Sequence, residues 1–142
     1  KPVPVDPRNF QKVDQQTGML LTALAGPMSN IVLTFLGVML MSGLPAAFWS
    51  NHVYLLAFMY IFITLNANLA FFNLLPVPPL DGSKILFGIL PKRFYGLLYQ
   101  LERYGGVLLI ILIISNITEL IIFPLSQGIV AAFFDLAGFI FN

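Results

Sequence analysis

The chain has 142 residues, 58% of them hydrophobic and only 9% charged, with a formal net charge of +1. A soluble domain carries about 25% charged residues, and one of this size still exposes roughly a third of the surface of its unfolded chain, so a soluble globular fold is excluded and the solvent is a lipid bilayer. The absence of cysteine removes a disulfide framework and a thiolate metal site; the net charge says little about partners, and no nucleic-acid partner is expected.

Residues 1–16 are polar and rich in proline (Pro2, Pro4, Pro7), which favours an extended path over a helix. They lack the apolar core and cleavage site of a signal peptide. A start without methionine makes the chain an expected fragment or processed product. The first apolar block runs from Thr17 to Gly43, interrupted at Gly26-Pro27 and ended by Leu44-Pro45. The second, Val53 to Leu75, carries no charge, and the third, Gly105 to Phe123, carries one acid, Glu119. Each is long enough for the roughly 20 residues that cross the hydrocarbon. A last stretch, Gly128 to Phe141, is shorter and is expected as a partial crossing, an interfacial helix or a protein-buried helix. Between the second and third blocks, Pro76, Pro78 and Pro79 break the helix. Asp81 then opens a short amphipathic helix to Leu90, and Pro91 starts another to Tyr104. The expected fold is all-α: polytopic membrane helices, three spans plus a shorter C-terminal apolar helix, with a proline-broken segment at 76–81. Residues 1–16 form an extended segment and residues 17–142 one transmembrane domain.

All seven basic residues fall into two groups, Lys1, Arg8 and Lys12, then Lys84, Lys92, Arg93 and Arg103. Two spans separate the groups, so they share one side of the membrane. Basic residues mark the cytoplasmic side, which puts residues 1–16 and 76–104 in the cytoplasm. The loop around His52, and the segment after Phe123 unless it crosses back, then lie outside. Tyr95, Tyr99 and Tyr104 suit interface aromatics.

The singular stretch is NLLPVPPLDG, residues 73–82. Prolines unwind the end of a membrane helix and strip carbonyls of their helical donors, which is tolerated only beside protein or a water-filled cavity. A carboxylate at such depth is costly and usually functional. Asp81 suits a divalent metal, although one carboxylate is not a site; zinc takes about four ligands, three of them from protein in catalytic sites. Asp81 also suits a helix N-cap, and the two roles are compatible. Asn68 and Asn73 lie near the end of the second span, where helix–helix hydrogen bonding is one reading. Unpaired backbone beside them suits pairing with a strand of substrate. Glu119 and Asp135 suit interfacial solvation, a polar path or contact between copies in a homo-oligomer. His52, in a polar loop, reads as a solvated loop residue.

NLLPVPPLDG resembles the second metal-binding motif of the site-2 protease family, the intramembrane zinc metallopeptidases, in which the pattern is N-x-x-P-x-P-x-L-D-G. Ala25-Gly26-Pro27-Met28-Ser29-Asn30 resembles that family's Gly-Pro motif, and KPVPVDPRNF is similar to a stretch in compact bacterial members. The resemblance implies a zinc endopeptidase of the bacterial plasma membrane that hydrolyses peptide bonds of transmembrane protein substrates by a zinc-activated water. It implies that Asp81 is the third zinc ligand, and that Asn68, Asn73, Pro76 and Pro78 bind an unwound substrate segment. The family's first motif, H-E-x-x-H, which gives two zinc ligands and the general base, does not occur in these 142 residues. The motif is therefore expected upstream of Lys1, and the chain alone is expected to be inactive. Two rivals remain: a non-catalytic binding or scaffold relative without the histidine motif, and a small transporter or channel subunit whose polar path is lined by Asn66, Asn68, Asn73 and Glu119.

Overall fold

The structure is a computed structural model and describes residues 15–141. Most of the extended segment expected over residues 1–16 lies outside the described residues; Gln15 and Gln16 already belong to the first helix. Among the described residues, seven α-helices follow in order: α1 (Gln15–Gly43), α2 (Ala46–Asn51), α3 (Val53–Leu74), α4 (Asp81–Ile89), α5 (Tyr95–Arg103), α6 (Gly105–Ile114) and α7 (Phe123–Phe141). A 3-10 turn, Lys92–Phe94, leads into α5, and a π-helical turn, Thr118–Ile122, leads into α7. No strand occurs among the described residues. The fold is all-α, as expected, with three helices long and apolar enough to cross a membrane: Gln16–Gly43, Val53–Leu74 and Glu119–Phe141.

α1 runs unbroken through Gly26-Pro27, which the sequence marks as an interruption. Proline costs a helix one hydrogen bond, but neighbouring helices make this tolerable in a membrane; Pro27 is fully buried. At its far end Pro45 stops the helix. The Trp49 indole of α2 donates to the Met41 carbonyl at 3.0 Å, satisfying one of the carbonyls that a helix end leaves open.

α1, α3 and α7 form the body. Val38, Ile63, Ala67, Val130 and Ala137 make its core. Lipid is as apolar as these side chains, so close packing rather than exclusion from water must hold them together. Small residues permit that approach. A Cβ on Gly37 would stand 2.8 Å from Ile63 Cγ1, so α1 meets α3 where α1 has no side chain. The Phe35 and Phe133 rings meet edge to face at 5.3 Å, within the preferred range for aromatic pairs. Polar groups inside the body are satisfied locally: Thr34 donates to the Asn30 carbonyl and Asn66 to the Phe62 carbonyl, each four residues back.

The third long helix differs in its bounds from the span expected over Gly105–Phe123. α6 stops at Ile114 because Asn116 adopts a left-handed backbone, φ 56°, a conformation asparagine tolerates better than most residues. The chain then turns through Thr118–Ile122 into α7. Gly105 lies against Pro78, while Ser126, early in α7, touches Asn68 near the end of α3. Residues 105–123 therefore leave and return at the same end of the body. The third helix long enough to cross is α7 with the turn before it, Glu119–Phe141, whose last ring, Phe141, packs on Gly43. α7 thus runs parallel to α1, from the Asp81 end to the His52 end, and the stretch 128–141, expected as a short element, is the greater part of a full-length helix.

Candidate metal and substrate site

α3 ends where Pro76 deprives the next turn of its donor. Leu75 donates to Phe72, Val77 to Leu75 at 2.8 Å and Leu80 to Val77 at 2.9 Å. The Pro78-Pro79 peptide bond is cis. Three residues between 75 and 80 own an N–H, namely Leu75, Val77 and Leu80; the first is spent on the last turn of α3 and the other two inside the segment. Pairing with a substrate strand would need donors and acceptors in alternation. The segment presents acceptors only, and Asn73 is the nearest side chain carrying an amide donor.

α4 begins at Asp81, and its N-cap position is Leu80, with no side-chain capping bond. The expected N-cap role of Asp81 is not made: the carboxylate sits in the first turn, where negative charge suits the positive end of the helix dipole. Asp81 Oδ1 accepts from Lys84 Nζ at 3.0 Å, and 31% of the Asp81 side chain is exposed. Such an exposed pair contributes at most about 1 kcal/mol, so Lys84 is an exchangeable partner. No other hydrogen bond to this carboxylate is made among the described residues.

Two glycines set this position. A Cβ on Gly82 would strike the carbonyl oxygens of Leu74 and Leu75, so the start of α4 packs directly on the backbone that ends α3. A Cβ on Gly26 would stand 3.1 Å from Asp81 Oδ2, so the missing side chain in the middle of α1 makes room for the carboxylate. The two glycine-bearing motifs, far apart in sequence, meet at one oxygen. The sequence gives no warning of that meeting without a knowledge of which helices pack.

The other candidates separate. Asn68 is bonded across helices: Ser126 Oγ lies 2.6 Å from Asn68 Oδ1 and 2.9 Å from the Phe123 carbonyl, and Ser126 is fully buried. Asn73 is half-buried and Pro76 exposed, while Pro78 is buried under Gly105. His52 lies at the opposite end of the body, between α2 and α3. There it is stacked on Phe48, and its Nδ1 is 2.8 Å from the Phe48 carbonyl. It cannot join Asp81. Glu119 is exposed in the π-helical turn, and Asp135 is exposed on α7.

Asp81 fits a zinc ligand in kind, a part-exposed carboxylate with one weak partner, seated against Gly26. No group of three or more His, Cys, Asp or Glu able to hold a metal occurs among the described residues. These residues therefore supply one ligand and not a site.

A sequence model of Peptidase family M50 matches residues 44–115, the part that contains the whole proline-broken segment and Asp81. The chain is also similar to the candidate zinc metalloprotease YwhC of Bacillus subtilis (strain 168), 33% identical over 135 residues. That match covers 90% of this chain and 59% of the relative, so the chain spans under two thirds of the relative's length. No solved structure gives a significant match.

Proposed function

The chain belongs to Peptidase family M50, and on that premise we propose that it is part of an intramembrane zinc metalloprotease cutting transmembrane segments of other proteins, with Asp81 as its contribution to the metal. The observation that supports this most is the uncapped Asp81 carboxylate, set at the mouth of an unwound helix end by two glycines. Two further ligands and a general base must come from outside these residues, as an H-E-x-x-H helix would provide. On this reading the chain by itself does not cleave.

Zinc supplies Lewis acidity at such a site. The chain's own residues position one ligand and the substrate. Gly82, locked on the carbonyls of Leu74 and Leu75, fixes where the Asp81 carboxylate stands. Pro76 and Pro78 hold the backbone open and leave carbonyls free to accept from the peptide N–H groups of a substrate. Asn73 offers donors to substrate carbonyls, and Asn68, oriented by Ser126, lines the same end of α3. A substrate must be unwound to use these groups, because an intact helix keeps its peptide N–H and C=O to itself.

The grouping of basic residues places the Asp81 end, with residues 1–16 and 76–104, on the cytoplasmic side. Lys84, the partner of Asp81, lies at the end of the body that this reading assigns to the cytoplasm.

The test is Asp81→Asn in the complete protein, read by zinc content and by cleavage of a transmembrane substrate. Loss of an outer-shell partner alone typically costs a metal site about 10–100-fold. Loss of a direct ligand is expected to lower zinc occupancy by at least that much and to abolish cleavage. Full zinc occupancy with normal cleavage would overturn the assignment.

A further inference from the structure

A cavity of about 370 Å³ opens between the start of α1, α4 and α5, walled on one side by the cis-proline segment. Its floor is aromatic. The Phe87 ring lies 5.8 Å from that of Tyr95 and 5.7 Å from that of Tyr99, inclined at 58° and 61°. Gln16 Nε2 donates to the Tyr95 hydroxyl at 2.5 Å, which ties α5 to α1 and occupies the polar tip of that ring. Met19 extends the apolar surface, and Lys84, the partner of Asp81, stands at the rim.

The cavity continues the face of α4 that carries Asp81. Residues three and four apart share a helix face, so Asp81, Lys84 and Gly88 form one stripe that leads from the carboxylate into the cavity. Gly88 lies close enough to α1 that a Cβ there would stand 3.0 Å from Leu20 Cβ, so this wall is backbone and does not yield.

The lining selects a chemistry. A volume of this size lies in the range of ligand pockets, which are mostly apolar with a few convergent polar groups. The two charged lining residues, Lys84 and Glu102, have opposite signs, so the lining carries no net formal charge. Three rings at edge and tilted angles offer a fourth ring the offset contacts aromatic groups prefer, and a methionine sulfur adds to them.

We propose that this cavity is a specificity subsite that receives an uncharged aromatic side chain of the unwound substrate segment, on the cytoplasmic side of the bond held at Asp81. The substrate role rests on the protease reading above; the binding itself does not.

The probe is N-acetyl-4-fluorophenylalanine amide, observed by ¹⁹F line broadening with the complete protein in detergent micelles, against empty micelles. Broadening beyond that of empty micelles is expected. N-acetyltryptophanamide should displace the probe about fivefold better than N-acetylleucinamide, the scale of one aromatic pair. Met19→Trp, which fills the cavity, should return the signal to that of empty micelles. Tyr99→Ala, at an exposed position, should weaken binding even if the filled variant fails to fold. Broadening equal to that of empty micelles, indifference to both variants, or equal competition by leucine overturns the subsite. The readout needs neither zinc nor turnover. Lost binding with intact cleavage therefore sinks the subsite alone, and retained binding beside an Asp81→Asn protein that still holds zinc and cleaves sinks the protease reading alone.

Discussion

The body of α1, α3 and α7 and the α6 half of the α5–α6 arm are all built from apolar sequence and behave differently. The body meets through Gly37, Ala67 and Ala137, each placed where two helices approach. α6 reads GGVLLIILII and, after its two glycines, offers no small residue at all. Val107, Ile110, Ile111, Ile113 and Ile114 stand exposed along it, and α5 bends away from α6 by 69°. Apolarity commits a segment to lipid but does not gather helices; small residues and interhelical hydrogen bonds do. The candidate site lies where the two regions touch, with Pro78 pressed under Gly105 and α4 clamped between α1 and the end of α3.

The strongest attack on this contrast is at the clamp. Gly82→Val places two methyls and a Cβ onto the carbonyls of Leu74 and Leu75. Backbone cannot shift as a side-chain end can, so the cost should reach the upper range of overpacking, about 3 kcal/mol or more. A mild-denaturant unfolding midpoint in micelles reads the stability, and zinc content of the complete protein reads the displacement of Asp81. A Gly82→Val protein with an unchanged midpoint and full zinc would show that the α3–α4 junction is looser than the body.

A smaller effect is expected at the polar bond within the body. Ser126→Ala removes the hydroxyl that reaches Asn68 from α7. Interhelical hydrogen bonds in membranes average about 0.6 kcal/mol, so stability should drop by about that much. In cleavage assays the freed Asn68 amide should raise KM more than it lowers kcat. An unchanged KM would return Asn68 to a purely structural role.

Much of the fold was legible in the sequence because its signals are local. Two uncharged blocks ended by proline gave α1 and α3, and Asp81 after three prolines marked the start of α4 within the motif. Pro91 marked the boundary before α5. The bounds of the third long helix differ because Gly105–Phe123 is apolar enough to span and only Asn116, whose left-handed backbone ends α6, breaks it; Ser115-Asn116 is the local signal for that break. Pro27 reads as a break because proline costs a helix in water, whereas α1 runs through it and buries it. At the site, Asp81 and its motif were visible, but its neighbours were not. Gly26 reaching Asp81, Ser126 reaching Asn68 and Gln16 reaching Tyr95 are tertiary pairings between residues 55, 58 and 79 apart, and no local periodicity encodes them.

The smallest effect belongs to the arm. Ile113 is exposed on α6 and, among the described residues, faces no helix that would lose packing if it were shortened. Replacing isoleucine by alanine in a soluble core costs about 2–5 kcal/mol, partly for apolar surface returned to water and partly for a cavity. Neither cost arises here. The side chain leaves lipid for lipid in folded and unfolded states alike, and acyl chains close any gap. Ile113→Ala should therefore change the unfolding midpoint by no more than about 0.5 kcal/mol, as for surface positions generally. The same measurement can locate a hidden partner. A loss of about 2 kcal/mol or more in the complete protein, on the scale of a core truncation, would mean that α6 packs on another helix there and that the arm is a second interface of the body.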